Sequence, residues 1–437
     1  MLREVSQVAS SILDEICKAR LPFGEFSTEY QTNGKGSLSG TLKFRVDYSV
    51  MLKIISDRLS KNDSFQVLKD SLINLKMFGG REACAIATSS MAWRYSPNDL
   101  IFEAIERLLN AEPDEIEHVA IVAHSMIERY QELTHFENTG YIFLENVEWK
   151  GEPLEIDQNT EVCPLTMTDK VDWLNRNRLF ESFYGLNFRL PYYFREAKSY
   201  IQFEYREEKN IYPAEEMKNR RPLGKPKLLP PAQVDRLIKV IRLLSNRTVI
   251  TSPVFTCSRY TPVREQWGVT ASPSGPAYAP AINLEKSKIH EISELYRILG
   301  NERTYTKTVK IALDRLERFG ERHSLEDKIL DIYIGIERIL GKMSNIKDTQ
   351  TEIRFRMSLS LAKYLGSTPS DQQCLFDTMM KGYKLRSKVA HGSDVDEKDR
   401  NIIDELDGIF RRLLIKYIHD VNEERCPSFH SLLFCLI

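Results

Sequence analysis

No two of the seven cysteines make a CxxC pair; Cys17, Cys84, Cys163, Cys257, Cys374, Cys426 and Cys435 are scattered and odd in number. That pattern argues against a zinc site or a disulfide framework and predicts a reduced setting. Neither sign of charge is in excess. Lysine and arginine number 61 against 62 aspartate and glutamate, a formal net charge of −1. The chain as a whole is therefore no general polyanion binder, and any contact with nucleic acid must come from a local patch. No stretch approaches the roughly 20 apolar residues of a membrane span. Near the start, Asp14 and Glu15 interrupt Ile12, Leu13 and Ile16, so the apolar core of a secretory signal is missing. The expectation is a cytoplasmic chain with no membrane contact. The sequence also has no GxxxxGK[ST], no GxGxxG after a strand and no HExxH. His118 and His124 stand six apart, on different faces of a helix and off the spacing of a two-ligand zinc helix. No metal and no other cofactor is expected.

What is present is an ordinary globular balance, 42% hydrophobic and 28% charged residues over 437 positions. At roughly 100 to 200 residues per domain, that length predicts two or three domains. Val5, Val8, Ala9, Ile12, Leu13 and Ile16 recur at helical spacing over residues 3–19, and Leu42, Phe44, Val46 and Tyr48 alternate as in a strand. Helical periodicity returns over 49–76 and 98–134, the second span broken near Pro113. Tyr141 to Trp149 and Tyr200 to Tyr205 read as strands, so residues 1–285 are expected to form an α+β region. A basic, proline-rich run between Pro213 and Pro231 cannot continue a helix or a central strand, and it marks an exposed connection between possible subdomains. Residues 249–285, with five prolines among them, mark the domain boundary.

From residue 286 the pattern becomes almost continuous helix: Ser287 to Leu299, Thr306 to Phe319, Leu325 to Leu340, Glu352 to Leu365, Asp371 to Val389 and Asp396 to Val421. Six helices with short connections predict an all-α bundle over 286–437, with Ser324 and Ser370 as helix caps. Near its end, Tyr383-Lys384-Leu385-Arg386-Ser387-Lys388-Val389-Ala390-His391-Gly392 gathers an arginine, a hydroxyl, lysines and a histidine at what should be a helix terminus. Histidine exchanges a proton near neutral pH, and arginine holds a phosphate through two parallel hydrogen bonds. Two readings stay open on these residues alone: a phosphate-handling site and an ordinary solvated, dipole-compensating helix end. The tail from Phe429 to Ile437 is apolar and too short to span a bilayer, which predicts packing in the core or in an interface between copies.

The segment Leu325 to Leu340, which contains IYIGIERIL, then Arg354-Phe355-Arg356-Met357, then YKLRSKVAHG at 383–392, resembles the HEPN superfamily, and within it the Apea-like branch. Arg386 and His391 satisfy its Arg-x4-His signature; where many HEPN nucleases have Asn, Asp or His after the arginine, this chain has Ser387. The resemblance covers roughly residues 286–437. It implies a HEPN-type helical bundle acting as a metal-independent endoribonuclease, in antiphage defence or abortive infection as a toxin, working as a homodimer with both motifs facing one cleft. A spacing of five turns the second side chain by about 140° on a regular helix, so Arg386 and His391 share no face and a composite site between two chains is the natural solution. A left-handed Gly392 would end the helix and free His391. In that site Arg386 and His391 are the catalytic residues. Ser387, Lys388, Tyr383 and Lys384 support the substrate, and Glu337 orients Arg386 or His391. The partners implied are RNA, a second copy of the chain and, at the N-terminal region, a phage-derived or nucleotide trigger. One rival expectation is a catalytically inactive HEPN module for dimerisation and RNA or nucleotide binding; another is a regulatory partner of a separately encoded enzyme.

Overall fold

The computed structural model describes residues 25–32, 38–45, 61, 63–87, 92–109, 125–176, 197–218, 231–245, 247–258, 266–270, 280–344, 353–428 and 431. The helix expected over residues 3–19, His118 and His124, the basic run from 219 to 230 and the apolar tail apart from residue 431 lie outside them.

The N-terminal region mixes sheet and helix. β1 (Glu25–Thr32) and β2 (Leu38–Arg45) form an antiparallel hairpin. They are followed by α1 (Asp63–Ile73), β3 (Cys84–Ala87), β4 (Ala92–Tyr95) and α2 (Pro97–Leu109). α2 starts on a reciprocal cap, in which the Asp99 amide donates to Ser96 Oγ at 3.3 Å and the Ser96 amide donates to the Asp99 carboxylate at 2.8 Å. After a helical stretch at 125–132 come β5 (His135–Leu144), β6 (Val147–Glu148), β7 (Leu154–Asp157), β8 (Thr160–Pro164), α3 (Met167–Arg176), β9 (Ser199–Glu208) and β10 (Asn210–Pro213). α4 (Ala232–Ser245), β11 (Val254–Ser258), β12 (Gln266–Thr270) and β13 (Ile282–Asn283) complete the region. β10, β3 and β4 make one antiparallel sheet; β12, β11, β5, β9, β8 and β7, in that order, make the larger one. Period-two alternation on β9 buries Ile201, Phe203 and Tyr205 on one face, as a half-buried strand requires.

The strand expected over Tyr141 to Trp149 is two strands. Asn146 breaks it: its side-chain amide donates to the carbonyls of Thr248 and Pro280, and its carbonyl accepts from the Ile250 amide at 2.8 Å. β6 therefore leaves the large sheet and pairs in parallel with β13.

The C-terminal region is helical: α5 (Lys286–Leu299), α6 (Lys307–Glu321), α7 (Leu325–Ser344), α8 (Ile353–Leu365), α9 (Pro369–Ala390) and α10 (Arg400–Asn422). α7 is the central helix, packed by α6, α8, α9 and α10, which is why Ile329, Ile332, Tyr333, Ile336, Ile339 and Leu340 are all buried. Ser324 caps it, accepting from the Asp327 amide at 3.1 Å. The cap of α9 is Thr368 and not Ser370: Thr368 Oγ1 accepts from the Asp371 amide at 3.2 Å. Pro369 explains the shift, because a proline has no amide hydrogen to leave unpaired and its fixed φ suits the first helical position, so the cap falls just before it.

α4 precedes the expected boundary in sequence but shares its core with these helices; Val234, Leu237 and Ile241 belong to the same buried cluster as Leu313, Ile332 and Leu413. Polar ties reinforce that packing. Lys239 bonds Asp314 at 2.9 Å, Arg242 pairs with Glu317, and Arg411 of α10 donates to the carbonyls of Arg242 and Leu243 at the end of α4. Among the described residues, no helix is long and apolar enough to cross a membrane.

Candidate functional site

α9 ends where its sequence turns from apolar to glycine. Gly392 takes φ +81°, the left-handed region in which a side chain would be strained, and among the described residues nothing crowds it. The Ser393 amide reaches back to the Lys388 carbonyl at 3.0 Å and the Gly392 amide to the Val389 carbonyl at 2.9 Å, a Schellman closure. His391 is the residue just before this turn, at φ −98° and ψ 13°, and its side chain is exposed. Among the described residues it has no side-chain hydrogen bond or ion pair.

Further back along the helix, α9 leans on α7. Gly382 allows the approach, since a Cβ there would lie 2.4 Å from a Leu406 methyl and 2.7 Å from the Tyr333 hydroxyl. That hydroxyl donates to the Met379 carbonyl at 2.8 Å, and the Tyr333 ring meets Tyr383 edge-on at 5.9 Å. Over Tyr383, at 5.7 Å, lies the Arg386 guanidinium, which pairs with Glu337 of α7 at 3.5 Å. Both members of this pair are about one-third exposed. Burial pushes the Glu337 carboxyl above its ordinary pKa, while Arg386 pulls in the other direction. Burial also raises the Tyr333 phenol, with Glu337 adding to the shift and Arg354 and Arg386 opposing it, so these groups share one neighbourhood.

Of the residues singled out in the sequence, Arg386, Glu337 and Tyr383 are therefore brought together. Lys384 and Lys388 are exposed on the same helix end, and neither forms an ion pair among the described residues. Ser387 is half-buried; its carbonyl accepts from the His391 amide at 3.2 Å. The loop beyond is acidic, carrying Asp394, Asp396 and Glu397, and it is held to the start of α7 by the Val395 amide donating to Glu326 at 2.8 Å. An anionic ligand would consequently approach from the Lys384 and Lys388 side.

Two members of this neighbourhood carried no role in the sequence reading. Tyr333 supports the floor. Arg354, at the start of α8, has its Nε buried with no acceptor among the described residues. Both lie in the segments that carry the resemblance, but neither stands at a telling spacing from Arg386, so only the helix packing shows that they adjoin it. Chemically, the one carboxylate here is matched by the Arg386 guanidinium, and the exposed Lys384 and Lys388 on the same helix end add positive charge of the kind that binds a phosphodiester. Among the described residues, no group of three or more histidine, cysteine, aspartate or glutamate side chains is placed to hold a metal ion. No protein-family model, no curated protein and no solved structure matches the chain.

A pH test isolates the cost of burying Glu337. A carboxyl raised in the folded state favours folding below its unfolded pKa, and that contribution is lost as pH rises through the folded pKa. Glu337→Gln, which is always neutral, should gain in melting temperature relative to the parent on going from about pH 4 to about pH 8. Thermal unfolding across that range checks it; a gain at the acid end instead would mean that the attraction to Arg386 outweighs burial.

Proposed function

We propose that α5 to α10 form a HEPN-type domain that cuts RNA without a metal, as a homodimer in which two α9 termini face one phosphodiester. The single observation that carries the reading is the pairing of a half-buried, Glu337-held Arg386 with an exposed His391 at the capped end of the same helix. In the proposed reaction His391 takes the proton of the ribose 2′-hydroxyl, whose oxygen attacks phosphorus. Arg386 neutralises the charge growing on the phosphoryl oxygens, and the second copy's histidine returns a proton to the departing 5′-oxygen. The products are a 2′,3′-cyclic phosphate and a 5′-hydroxyl, and DNA is not a substrate because the nucleophile is missing. Lys384 and Lys388 contribute phosphate contacts, Tyr383 stacks beneath Arg386, and Ser387 adds a hydroxyl. By resemblance, the biological setting is an antiphage toxin that arrests growth.

One observation favours a second reading, in which the domain binds RNA or a nucleotide without cutting it: no side chain among the described residues orients the His391 imidazole. Incubating the full-length protein with total RNA in EDTA decides between them. The nuclease reading expects fragments ending in 2′,3′-cyclic phosphate and no cleavage of the matching DNA; retention of RNA without cleavage leaves the binding module.

A further inference from the structure

Far along the chain from that helix end, a cavity of about 480 Å³ opens between the residues that follow α1, the edge formed by β3 and β10, and the start of β5. Its volume lies within the range of small-ligand sites. Met77, Leu133, Ile211 and Tyr212 supply apolar wall, while Arg81, Lys209, Gln131 and His135 supply polar groups.

Lys209 is the unusual member. It is only 8% exposed, its ammonium donates to the Tyr130 carbonyl and lies 3.6 Å over the Tyr130 ring, and no carboxylate pairs with it among the described residues. A buried cation without a counter-ion is costly, and burial lowers its pKa to about 8. The groups facing it do little to offset this. Cys84 stays a neutral thiol, its own pKa pushed up to about 12 by burial; Glu132 attracts Lys209 from a distance while bonding Lys76 at 3.2 Å, and Lys76 repels it.

Two further groups of the same wall are unfilled. Gln131 Oε1 is buried with no donor, and Arg81 is exposed with no ion pair, among the described residues. Glu208 is the only carboxylate among the lining residues.

We propose that this cavity binds a small phosphorylated ligand with a flat, largely apolar body, of the class of a nucleoside monophosphate. The phosphate dianion lies between Arg81 and Lys209, Gln131 accepts from a ring or sugar donor, and the body rests on Met77, Ile211 and Tyr212. The assignment does not rest on RNA cleavage and is tested without it.

Isothermal titration of the full-length protein with AMP, GMP, UMP, inorganic phosphate and adenosine reads the site directly. At least one nucleotide should bind about tenfold or more tightly than phosphate or adenosine, and Arg81→Ala and Lys209→Met should each weaken it about tenfold or more. Affinity should fall as pH rises from about 7 to about 9 in the parent, and stay flat in Lys209→Met, because only the protonated ammonium attracts the phosphate. Arg81 is exposed, so its variant keeps the comparison valid if Lys209→Met fails to fold. The proposal is overturned if every nucleotide binds no better than phosphate, or if Arg81→Ala retains the parent affinity.

Discussion

His391→Ala should lower RNA cleavage by roughly 10² to 10⁴-fold, the usual contribution of a positioned proton-transfer group. It should do so without changing the melting temperature, because the side chain is exposed and has no hydrogen-bond partner among the described residues. Arg386→Ala should cost roughly 10² to 10³-fold through loss of charge stabilisation in the transition state. This second variant should also unfold earlier, since Glu337 is then left half-buried without its cation. The double variant should be little worse than the poorer single one, as expected of residues acting as one unit. Single-turnover cleavage of a labelled RNA, alongside thermal unfolding, measures all three. Undiminished cleavage by His391→Ala would sink the nuclease reading, whereas equal losses of activity and stability would point to a structural role.

The largest expected stability effect lies elsewhere, at Arg411. Its Nε sits 3.0 Å from both carboxylate oxygens of Asp407, both residues are less than a tenth exposed, and its Nη1 donates to the Arg242 and Leu243 carbonyls near the end of α4. Burial raises the Asp407 carboxyl, with Arg411 pulling it down, so the pair exists only because each member tolerates the other. Arg411→Ala leaves a buried carboxylate unpaired and two carbonyls without donors. That should cost about 3–5 kcal/mol in urea unfolding. Replacing both members together, Asp407→Leu with Arg411→Met, should recover most of the loss, because a well-packed apolar pair avoids the desolvation of two charges. A loss under about 1 kcal/mol for Arg411→Ala would mean that water reaches the pair despite its burial.

How much of this could be read in advance follows the range of the forces involved. The six C-terminal helices lie within a few residues of their sequence expectation, because periodicity and capping act over one or two turns. Ser324 and Gly392 behave as their local chemistry requires. β7, β8 and β11 were not legible, since short strands in turn-rich, proline-flanked segments are chosen by their neighbours in the sheet.

The sequence by itself determined an α+β region followed by a helical one, the helix ending at Ala390, and the set of side chains gathered there. Only the tertiary structure decided that α4 joins the helical core, that Arg386 meets Glu337 from another helix, and that Lys209 lies unpaired in a cavity. The physical reason is separation along the chain. A hydrogen bond to a neighbouring amide is encoded in adjacent residues, whereas an ion pair or a cavity wall exists only once packing brings distant segments within a few ångströms of one another.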